Sequence, residues 1–581
     1  MPDLTNSQIA TALDELGDLY ELDGAIIHRV VAYRTAAKAV RESSTSVAAL
    51  ARDGKATSLP GVGKTLQDKI VTLLETGDTP SAQRLRAKFP PGLIEMTRAV
   101  PGLGPKRARV LYDELGIDSI DALREAAANQ AIRGVRGFGA KAEENILASL
   151  AAFDAGDVPG LRMLLPKALA AADAIVAALR AHAASEHVEL AGSARRLADS
   201  VKDLDVIATA HEPVALASAL RELEIIESTG RATDAGTRGR THTGLPVDLK
   251  IVAPDQFGNL LQHFTGSKQH NMAMREAAVR KGLHVSEYGI LDDASGETWR
   301  CATEEEVYER LGYQWVPPEL REGRGELDAA ARGDLPELVT EDDLRGELHA
   351  HTTASDGRAT LEEMAFAARE RGFEYLAITD HSATHGFGNE VSPDQLHKQI
   401  EKVHALNEKL DGIELLAGSE VNILPDGAPD YDDDLLARLD WVIGSVHTSF
   451  RMAEKAMTDR IVAAIEHPLI DAIGHPTGRK IESRAPYAFD MERVIEAAAR
   501  TGTMIEINAS PDRRDLDDVH ARAAAQAGVL ILLNTDAHSI DDFGFRRWGI
   551  ATARRSWLTR DQVANTRSWP EFAALRKRAL V

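Results

Sequence analysis

The C-terminal part of the sequence alternates short apolar runs with helical segments, and histidines and acids gather where the runs end. Eleven of the chain's 19 histidines follow residue 337. Chemistry in α/β barrels belongs to the carboxyl ends of strands, so the pattern predicts a barrel-like or layered α/β domain with a histidine–carboxylate metal site. The runs are Tyr375–Ile378, Glu414–Ala417, Trp441–Ile443, Ala472–Ile473, Met504–Ile507 and Val529–Leu533.

Nine residues at six strand ends are candidate metal ligands. Alternate residues of a strand share a face, so His-x-His presents two imidazoles together. One such pair is as often a core histidine beside a surface one, but nine ligand types at six strand ends are difficult to explain by packing. They are His349, His351, Asp356, His381, Glu420, His447, His475, Asp536 and His538. Mixed nitrogen and oxygen ligands suit Mn²⁺, Zn²⁺ or iron.

The other polar residues of this region are interpreted either as support for the ligands or as ordinary side chains. Asp380, Asn508 and Arg479 are candidates for orienting ligands or contacting a phosphate. Five further histidines are interpreted as ordinary: His385, His397, His404, His467 and His520.

A Gly-x-Gly turn recurs three times in the helical N-terminal region, each time between two helices. Such a turn points the free N–H groups of the next helix outward, where they bind anions. A single copy would be an ordinary helix–helix turn, but three copies favour binding to a phosphate backbone without base reading. The expected helices are Thr65–Leu74, Arg107–Glu114 and Ala142–Leu150, and the candidate DNA contacts are Gly61, Gly63, Lys64, Gly102, Gly104, Lys106, Gly137, Gly139 and Lys141.

Between these regions, three aspartates stand on expected strands. Asp203 and Asp205 share a strand face, and Asp248 lies in another strand. An isolated Asp-x-Asp is more often a surface pair, but with a third strand acid it suits Mg²⁺ or Mn²⁺. Gly192, Ser193 and Arg196 would supply donors to a triphosphate. The expected strands are Val188–Ala191, Val206–Ala208, Glu222–Ser228 and Val247–Val252, with a helix at Ala168–His182.

Charge and composition narrow the function classes. A net charge of −23 argues against a nucleic-acid binder that works by bulk positive charge, although residues 1–110 carry 15 Lys+Arg against 12 Asp+Glu. One cysteine, Cys301, excludes an intramolecular disulfide framework. The sequence lacks a membrane-length apolar run and an apolar export signal behind Met1-Pro2-Asp3. We therefore expect a cytoplasmic protein without a membrane partner.

Residues 1 to about 317 resemble the family X DNA polymerases. The Gly-x-Gly turns resemble helix-hairpin-helix motifs, Gly-Ser with Asp-x-Asp is the pattern of the nucleotidyltransferase superfamily, and Phe264-Thr265-Gly266-Ser267 resembles the family's thumb segment. The resemblance implies that Asp203 and Asp205 bind both metals and that Asp248 helps deprotonate the primer hydroxyl. The remaining nucleotide contacts that it implies are Gly192, Ser193, Arg196, Phe264, Gly266, Asn271 and Arg275.

The match has one further implication and two departures. Lys69 holds the position of a lyase lysine that forms a Schiff base, with Arg29, Tyr33 and Lys64 near the 5′-phosphate; a surface lysine on a DNA-facing helix is an equal alternative. His263 replaces a tyrosine of vertebrate members, which puts the sugar-discriminating contact in question. Lys202 replaces a glycine before the first acid.

Residues from about 340 onward resemble the PHP (polymerase and histidinol phosphatase) domain. Its ligand order matches the nine residues above, and the family fold is a distorted seven-stranded β/α barrel that holds up to three metals. Together the two resemblances are typical of bacterial and archaeal family X polymerases. They imply synthesis on gapped or primed duplex DNA from dNTPs, a Mn²⁺-dependent 3′–5′ exonuclease, base excision repair and, in some relatives, abasic-site cleavage.

The expected fold is a multidomain α/β and α+β chain that acts as a monomer. Two rival functions remain at this point: a small-molecule phosphatase with an inert polymerase half, and a non-catalytic scaffold for gapped DNA. The expected domains are a lyase-like helical domain (1–80), a fingers-like domain (81–155), a nucleotidyltransferase palm (156–255), a thumb (256–316), an acidic linker (317–343) and the PHP domain (344–581).

Overall fold

A computed structural model describes residues 4–154, 162–386 and 388–577, so the expected boundary between 155 and 156 lies outside the described residues. Within that part of the chain, every helix is too short or too polar to cross a membrane. The chain divides into two compact units. The first comprises Met1–Met163, Ala168–Leu190 and Lys202–Ala253; the second comprises Leu164–Lys167, Ala191–Val201 and Pro254–Val581.

The N-terminal part of the first unit is helical, with one apolar core of its own. Each Gly-x-Gly turn begins with a glycine at positive φ (Gly61 +76°, Gly102 +85°, Gly137 +89°), which favours glycine. The three helices that follow these turns confirm the predicted ones, with slightly longer bounds. The helices are α1 (Asn6–Leu22), α2 (Ile27–Glu42), α3 (Val47–Arg52), α4 (Lys64–Thr76), α5 (Pro80–Arg86), α6 (Gly92–Ala99), α7 (Pro105–Leu115), α8 (Ile120–Ala128) and α9 (Ala140–Asp154).

A five-stranded mixed sheet forms the rest of the first unit, in the order β2-β4-β7-β6-β5. Strands β4 and β7 run parallel with Asp205 opposite Asp248; burial alternates along β7, whereas the residues of β4 from Val206 to Thr209 are all buried. The helices and strands between residues 163 and 251, of which α11 and β3 belong to the second unit, are β1 (Met163–Leu164), α10 (Leu165–Ala181), β2 (Ser185–Leu190), α11 (Gly192–Arg195), β3 (Ser200–Val201), β4 (Leu204–Ala210), α12 (Pro213–Glu222), β5 (Ile226–Thr229), β6 (Gly236–Thr241) and β7 (Pro246–Ile251).

The second unit begins with a small helical and antiparallel region around its own apolar cluster. Glu304 is the first residue of a helix there, and its buried carboxylate accepts hydrogen bonds from two arginines, Arg195 at 2.8 Å and Arg321 at 2.6 Å. The elements are α13 (Phe257–Thr265), α14 (Lys268–Val279), β8 (Leu283–Ser286), β9 (Gly289–Asp292), β10 (Thr298–Trp299), α15 (Glu304–Leu311) and α16 (Glu326–Arg332).

Seven parallel strands, in sequential order, form a nearly closed barrel in the remainder of this unit. A bridge between Ala350 and Ala537 joins the chain beyond the first strand to the chain beyond the last. The elements are β11 (Gly346–Glu347), α17 (Leu361–Glu370), β12 (Tyr375–Ile378), α18 (Pro393–Asn407), β13 (Glu414–Asn422), α19 (Asp433–Leu436), β14 (Trp441–Ser445), α20 (Glu454–Glu466), β15 (Ala472–Ile473), α21 (Met491–Thr501), β16 (Met504–Asn508), α22 (Asp518–Gln526), β17 (Ile531–Asn534), α23 (Arg546–Arg555) and α24 (Trp569–Ala573).

Two expectations differ from the structure. The strand expected at Glu222–Ser228 begins only at Ile226, because Glu222 ends α12 and residues 223–225 form a turn in which the Ile226 N–H donates to the Leu223 carbonyl at 2.9 Å. The acidic segment 317–343 is not an exposed connector: it contains α16, and Arg321 and Leu327 in it are buried. The six-domain division stays a prediction.

Replacing Glu304 by Gln should destabilise the α13–α16 region by about 3 kcal/mol, since it leaves two guanidinium groups without their shared charge. Burial raises the pKa of Glu304, but Arg321 and Arg195 more than offset this and lower it to about 2. The folded pKa lies below the unfolded one, so the stabilisation is complete above the unfolded value of about 4.3 and is lost as the pH falls towards 2. Urea unfolding followed by amide hydrogen exchange in α15 measures it.

The matched control is Glu305→Gln, since Glu305 is the exposed neighbour in the same helix. Equal stability of both variants, or the same pH profile for Glu304→Gln and the wild type, would contradict this account.

Candidate functional site

The nine predicted ligands all lie at the carboxyl ends of the barrel strands. Three of them follow β11 (His349, His351 and Asp356) and His381 follows β12; His447 follows β14, His475 follows β15, and Asp536 and His538 follow β17. Glu420 differs from the expectation, because β13 continues to Asn422 and therefore includes it. Parallel strands end at the same edge of a barrel, which explains why residues up to 189 positions apart in sequence (349 to 538) meet there.

The carboxylate of Glu420 is the centre of this cluster. It is fully buried, and the ring nitrogens of five histidines lie within 4 Å of its two oxygens. The nearest contacts are His381 Nδ1 at 2.8 Å, His475 Nε2 at 2.9 Å and His447 Nε2 at 3.1 Å. His349 and His351 lie 3.4 and 3.7 Å from Oε2, the oxygen that His381 also contacts, whereas His475 and His447 contact Oε1.

The two aspartates extend the cluster towards solvent. Asp536 Oδ1 lies 3.0 Å from His351 Nε2 and 3.4 Å from His349 Nε2. Asp356, which is one-third exposed, lies 3.3 Å from His538 Nε2 and 3.6 Å from His381 Nε2. The structure therefore brings all nine predicted ligands together.

The mutual contacts set the charge of the cluster. Burial opposes ionisation of Glu420, but His447, His349 and His381 more than offset it and hold its pKa well below the usual range. The same balance between burial and the histidines keeps the pKa of Asp536 well below normal. Burial, together with His381 and His538, lowers the pKa of His351 to about 4. Ionised carboxylates and a neutral imidazole are the ligand forms that metals require.

The donor atoms fit divalent cations. Three groups of potential ligand atoms in the described chain lie within 4.8 Å of one another, and all three belong to this cluster. Buried Nε2 of His349, Nδ1 of His351 and Oε2 of Glu420 make no hydrogen bond with the described residues. Such atoms are costly to bury unless they bind something. The groups are His351, Asp356, His381 and His538; His349, His351 and Asp536; and His381, Glu420 and His447.

Sequence analysis missed two buried acids beneath the cluster. Glu506 accepts a hydrogen bond from His349 Nδ1 at 2.7 Å and from the backbone of His475 at 2.7 Å. Burial raises the pKa of Glu347 to about 7, and its carboxylate bonds the backbone N–H of His349. Both acids fix the orientation of ligand residues. The i+2 spacing of Glu506 and Asn508 in β16 was the signal available in the sequence.

The interpretation of His385 as an ordinary histidine is corrected, since it is buried and stacks on His381 with ring centroids 4.4 Å apart.

Of the three residues predicted to support the ligands or contact a phosphate, two do contact the cluster or its loops and one does not. Asp380 accepts hydrogen bonds from Thr352 and Ser355, which shapes the loop that carries Asp356. Asn508 Nδ2 donates to Asp536 at 3.0 Å. Arg479 instead forms an ion pair with Asp199 at 2.9 Å.

In the first unit, two of the three aspartates that were predicted to bind metal stand on adjacent strands. Asp205 faces Asp248 across the β4–β7 pair, and Asp203 precedes β4 in an exposed position. Their oxygens are not among the close ligand groups of the described chain. Arg238 and Lys250, which sequence analysis missed, each lie 3.4 Å from Asp248. A cavity of about 360 Å³ adjoins this acid.

The predicted nucleotide-binding residues lie in the second unit. Gly192 opens α11 at positive φ (+67°), next to Ser193. Arg196 is mostly buried; it binds Glu322 at 3.0 Å and the carbonyl of Thr265 at 2.5 Å.

Four thumb residues predicted to contact nucleotide or template make local contacts in this region. Asn271 donates to the His263 carbonyl at 2.7 Å, and Arg275 contacts the His263 ring at 3.1 Å. The Phe264 ring lies 5.3 Å from the His263 ring, and Gly266 has a positive φ of +71°.

The predicted DNA contacts of the helical region are mainly exposed. Lys64, Lys106 and Lys141 project from the first turns of α4, α7 and α9. Lys69 is half-buried, and its ammonium group donates to Ser81 Oγ at 2.9 Å. Tyr33 stacks on Tyr20, whose ring also contacts Arg29.

Comparison with protein families gives four matches. The helix-hairpin-helix domain matches residues 4–79, and the SAM-like helix-hairpin-helix tandem matches residues 94–152. The DNA polymerase beta thumb matches residues 260–322. The PHP domain matches residues 347–510, which include seven of the nine ligands.

Individual relatives divide into two kinds. The DNA polymerase/3′-5′ exonuclease PolX of Bacillus subtilis (strain 168) is 36% identical over 98% of this chain and 99% of its own length. A probable phosphatase of Thermoanaerobacter sp. (strain X514) is 33% identical over 38% of this chain and 89% of its own length. A probable phosphatase of Photobacterium profundum is 32% identical over 34% of this chain.

Replacing Glu506 by Gln should lower the affinity of the barrel site for Mn²⁺ by about 10- to 100-fold, because the amide cannot accept from His349 and the backbone of His475 as a carboxylate does. Equilibrium dialysis with Mn²⁺ and elemental analysis of the dialysed protein measures this without relying on activity. Glu496→Gln, on the exposed face of α21, is the matched control. Unchanged Mn²⁺ affinity in the Glu506 variant would show that this carboxylate does not support the ligands.

Proposed function

Because the chain belongs to the family X DNA polymerases with a C-terminal PHP domain, we propose that it fills short gaps in duplex DNA and trims 3′ ends during DNA repair. It is a DNA polymerase and a 3′–5′ exonuclease, and both reactions use divalent cations. The observation that carries the proposal is the presence in one chain of two acid sets: three aspartates on a palm sheet, and a histidine–carboxylate cluster at the end of a barrel.

In the polymerisation reaction, Asp203 and Asp205 would hold two Mg²⁺ or Mn²⁺ ions, and Asp248 would help accept the proton of the primer 3′-hydroxyl. The ions would supply neutralisation of the charge that develops on the phosphoryl oxygens. Arg238 and Lys250, each 3.4 Å from Asp248, would hold its carboxylate in position. Gly192, Ser193 and Arg196 would bind the triphosphate, and Asn271 and Arg275 would meet the base pair after leaving their contacts with His263.

In the exonuclease reaction, the nine barrel residues would hold up to three Mn²⁺, Zn²⁺ or iron ions. Such ions would supply activation of water and of the phosphodiester. Glu506 and Asn508 would keep His349 and Asp536 in their ligating orientation. Since Asp356 is one-third exposed while Glu420 is buried, the DNA 3′ end would approach from the side of Asp356 and His538.

The helical region would bind the phosphates of the DNA backbone on both sides of a gap through its three Gly-x-Gly turns. In this role the protein acts as a cytoplasmic monomer, since DNA binding through these turns needs no second copy. A lyase function of Lys69 and an abasic-site endonuclease in the barrel are hypotheses that rest on the family resemblance. Borohydride trapping on abasic DNA, with Lys69→Ala and the exposed Lys55→Ala as a control, decides the first of these.

Two substitutions should separate the two activities on one labelled gapped duplex with Mn²⁺, in the presence or absence of dNTPs. Asp205→Ala should lower extension at least 1,000-fold and leave degradation within about twofold, since a metal-holding acid supplies several kcal/mol of transition-state stabilisation. His349→Ala should do the reverse. Gel analysis of both products measures it.

The rival functions give other results in the same assay. Retained extension by Asp205→Ala would contradict the proposed palm mechanism. Phosphate release from a small phosphate ester, without DNA degradation by the wild type, would favour the phosphatase activity that is named for the shorter relatives. Salt-dependent DNA binding without any turnover would favour a scaffold.

A further inference from the structure

The segment 191–201, which carries the proposed triphosphate contacts, belongs to the same compact unit as the barrel. Its neighbours on both sides in sequence, 168–190 and 202–253, belong to the other unit. The nucleotide-binding segment is therefore held by residues outside the palm sheet, and the contacts within the second unit identify them.

Two of these contacts come from arginines in the barrel loops and meet on one carboxylate. Asp199 Oδ1 lies 3.2 Å from Arg514 Nη1, and Asp199 Oδ2 lies 2.9 Å from Arg479 Nη2. Arg514 is fully buried, donates to the Leu197 carbonyl at 3.1 Å and is held by Thr552 Oγ1 at 2.8 Å. A buried guanidinium with fixed partners is a rigid support, because its fork geometry allows few alternatives.

A third barrel arginine reaches Arg196 itself. Arg555 donates to the Arg196 carbonyl at 2.8 Å and to Glu322 at 2.8 Å. Glu322 also accepts from Arg196 Nε at 3.0 Å, so one carboxylate joins the proposed triphosphate ligand to the barrel. Asp518, at 2.8 Å, holds the far side of the Arg555 guanidinium.

We propose that Asp199, through Arg514 and Arg479 of the barrel, positions the nucleotide-binding segment of the polymerase site. The PHP barrel thereby has a second role, as the support that sets the geometry of dNTP binding. This inference rests on the proposed function, in which Ser193 and Arg196 contact the triphosphate. Asp199, Arg514 and Arg555 are positioning residues, since they act on the nucleotide through the segment 192–196.

The barrel loops involved also adjoin the metal cluster. Arg479 stands four residues after His475, and Arg514 follows Asn508, whose amide holds Asp536. Sequence analysis named Arg479 as a candidate for orienting a metal ligand or contacting a phosphate in the barrel. Its guanidinium is instead committed to Asp199 and to the carbonyl of Arg513, at 2.9 Å for both contacts.

Steady-state gap filling by the full-length chain tests the proposal. Asp199→Asn should raise the KM for dNTP by about 10- to 100-fold, because it removes the charge that pairs with the guanidinium groups of Arg514 and Arg479. Its affinity for gapped DNA should not change. Asp199→Glu should recover part of the loss, and Asp173→Asn, on the exposed face of α10, is the matched control.

The decisive comparison is a double-mutant cycle with Arg196→Ala. If Asp199 acts through the segment, Asp199→Asn should change the KM for dNTP by less than threefold once Arg196 is already lost, because residues in one network are not additive. An unchanged KM in Asp199→Asn, or a fully additive effect, overturns the positioning role while leaving the triphosphate contacts intact. An unchanged KM in both Arg196→Ala and Ser193→Ala would instead refute the proposed contacts, and the inference with them.

Discussion

The barrel depends on one buried carboxylate. Glu420 has no exposed surface, and an isolated ionised acid at such a depth would cost several kcal/mol. Five imidazoles around it supply the compensating interactions. Two of them follow β11, and the other three follow β12, β14 and β15. The cluster therefore joins the strand ends to one another as well as forming a ligand set. Fold and chemistry use the same contacts.

A second level of support lies beneath the ligands. Glu506 joins the regions of β11, β15 and β16 by bonding His349, the backbone of His475 and Asn508. Polar groups that are buried and satisfied in this way adopt one arrangement, which keeps ligand atoms at fixed separations. In the first unit, by contrast, Asp205 and Asp248 stand on inner strands of the sheet and Asp203 is exposed. The barrel cluster is preformed by burial, whereas the three aspartates are partly open to solvent.

Sequence predicted that the nine candidate ligands would come together, because period and position are local signals. Each ligand follows an apolar run, and the ends of parallel strands must meet. Glu506 and Glu347 were missed because an acid within or beside an apolar strand resembles a solvent-facing residue until the barrel closes over it. His385 was missed because its approach to His381 depends on a loop. The strand expected at Glu222–Ser228 starts four residues late because the turn that links α12 to β5 contains apolar residues of its own, Leu223 and Ile225.

The sequence also could not reveal which part of the chain holds the nucleotide-binding segment, since Asp199 and Arg514 are 315 positions apart. Both proposed reactions require that the barrel cluster and the three aspartates bind cations. Anomalous diffraction from crystals soaked in manganese measures this most directly. We expect manganese peaks among the ligands around Glu420, and between Asp203 and Asp205 when dNTP is present. Crystals without manganese at Glu420, with the five imidazoles packed against the carboxylate, would contradict it.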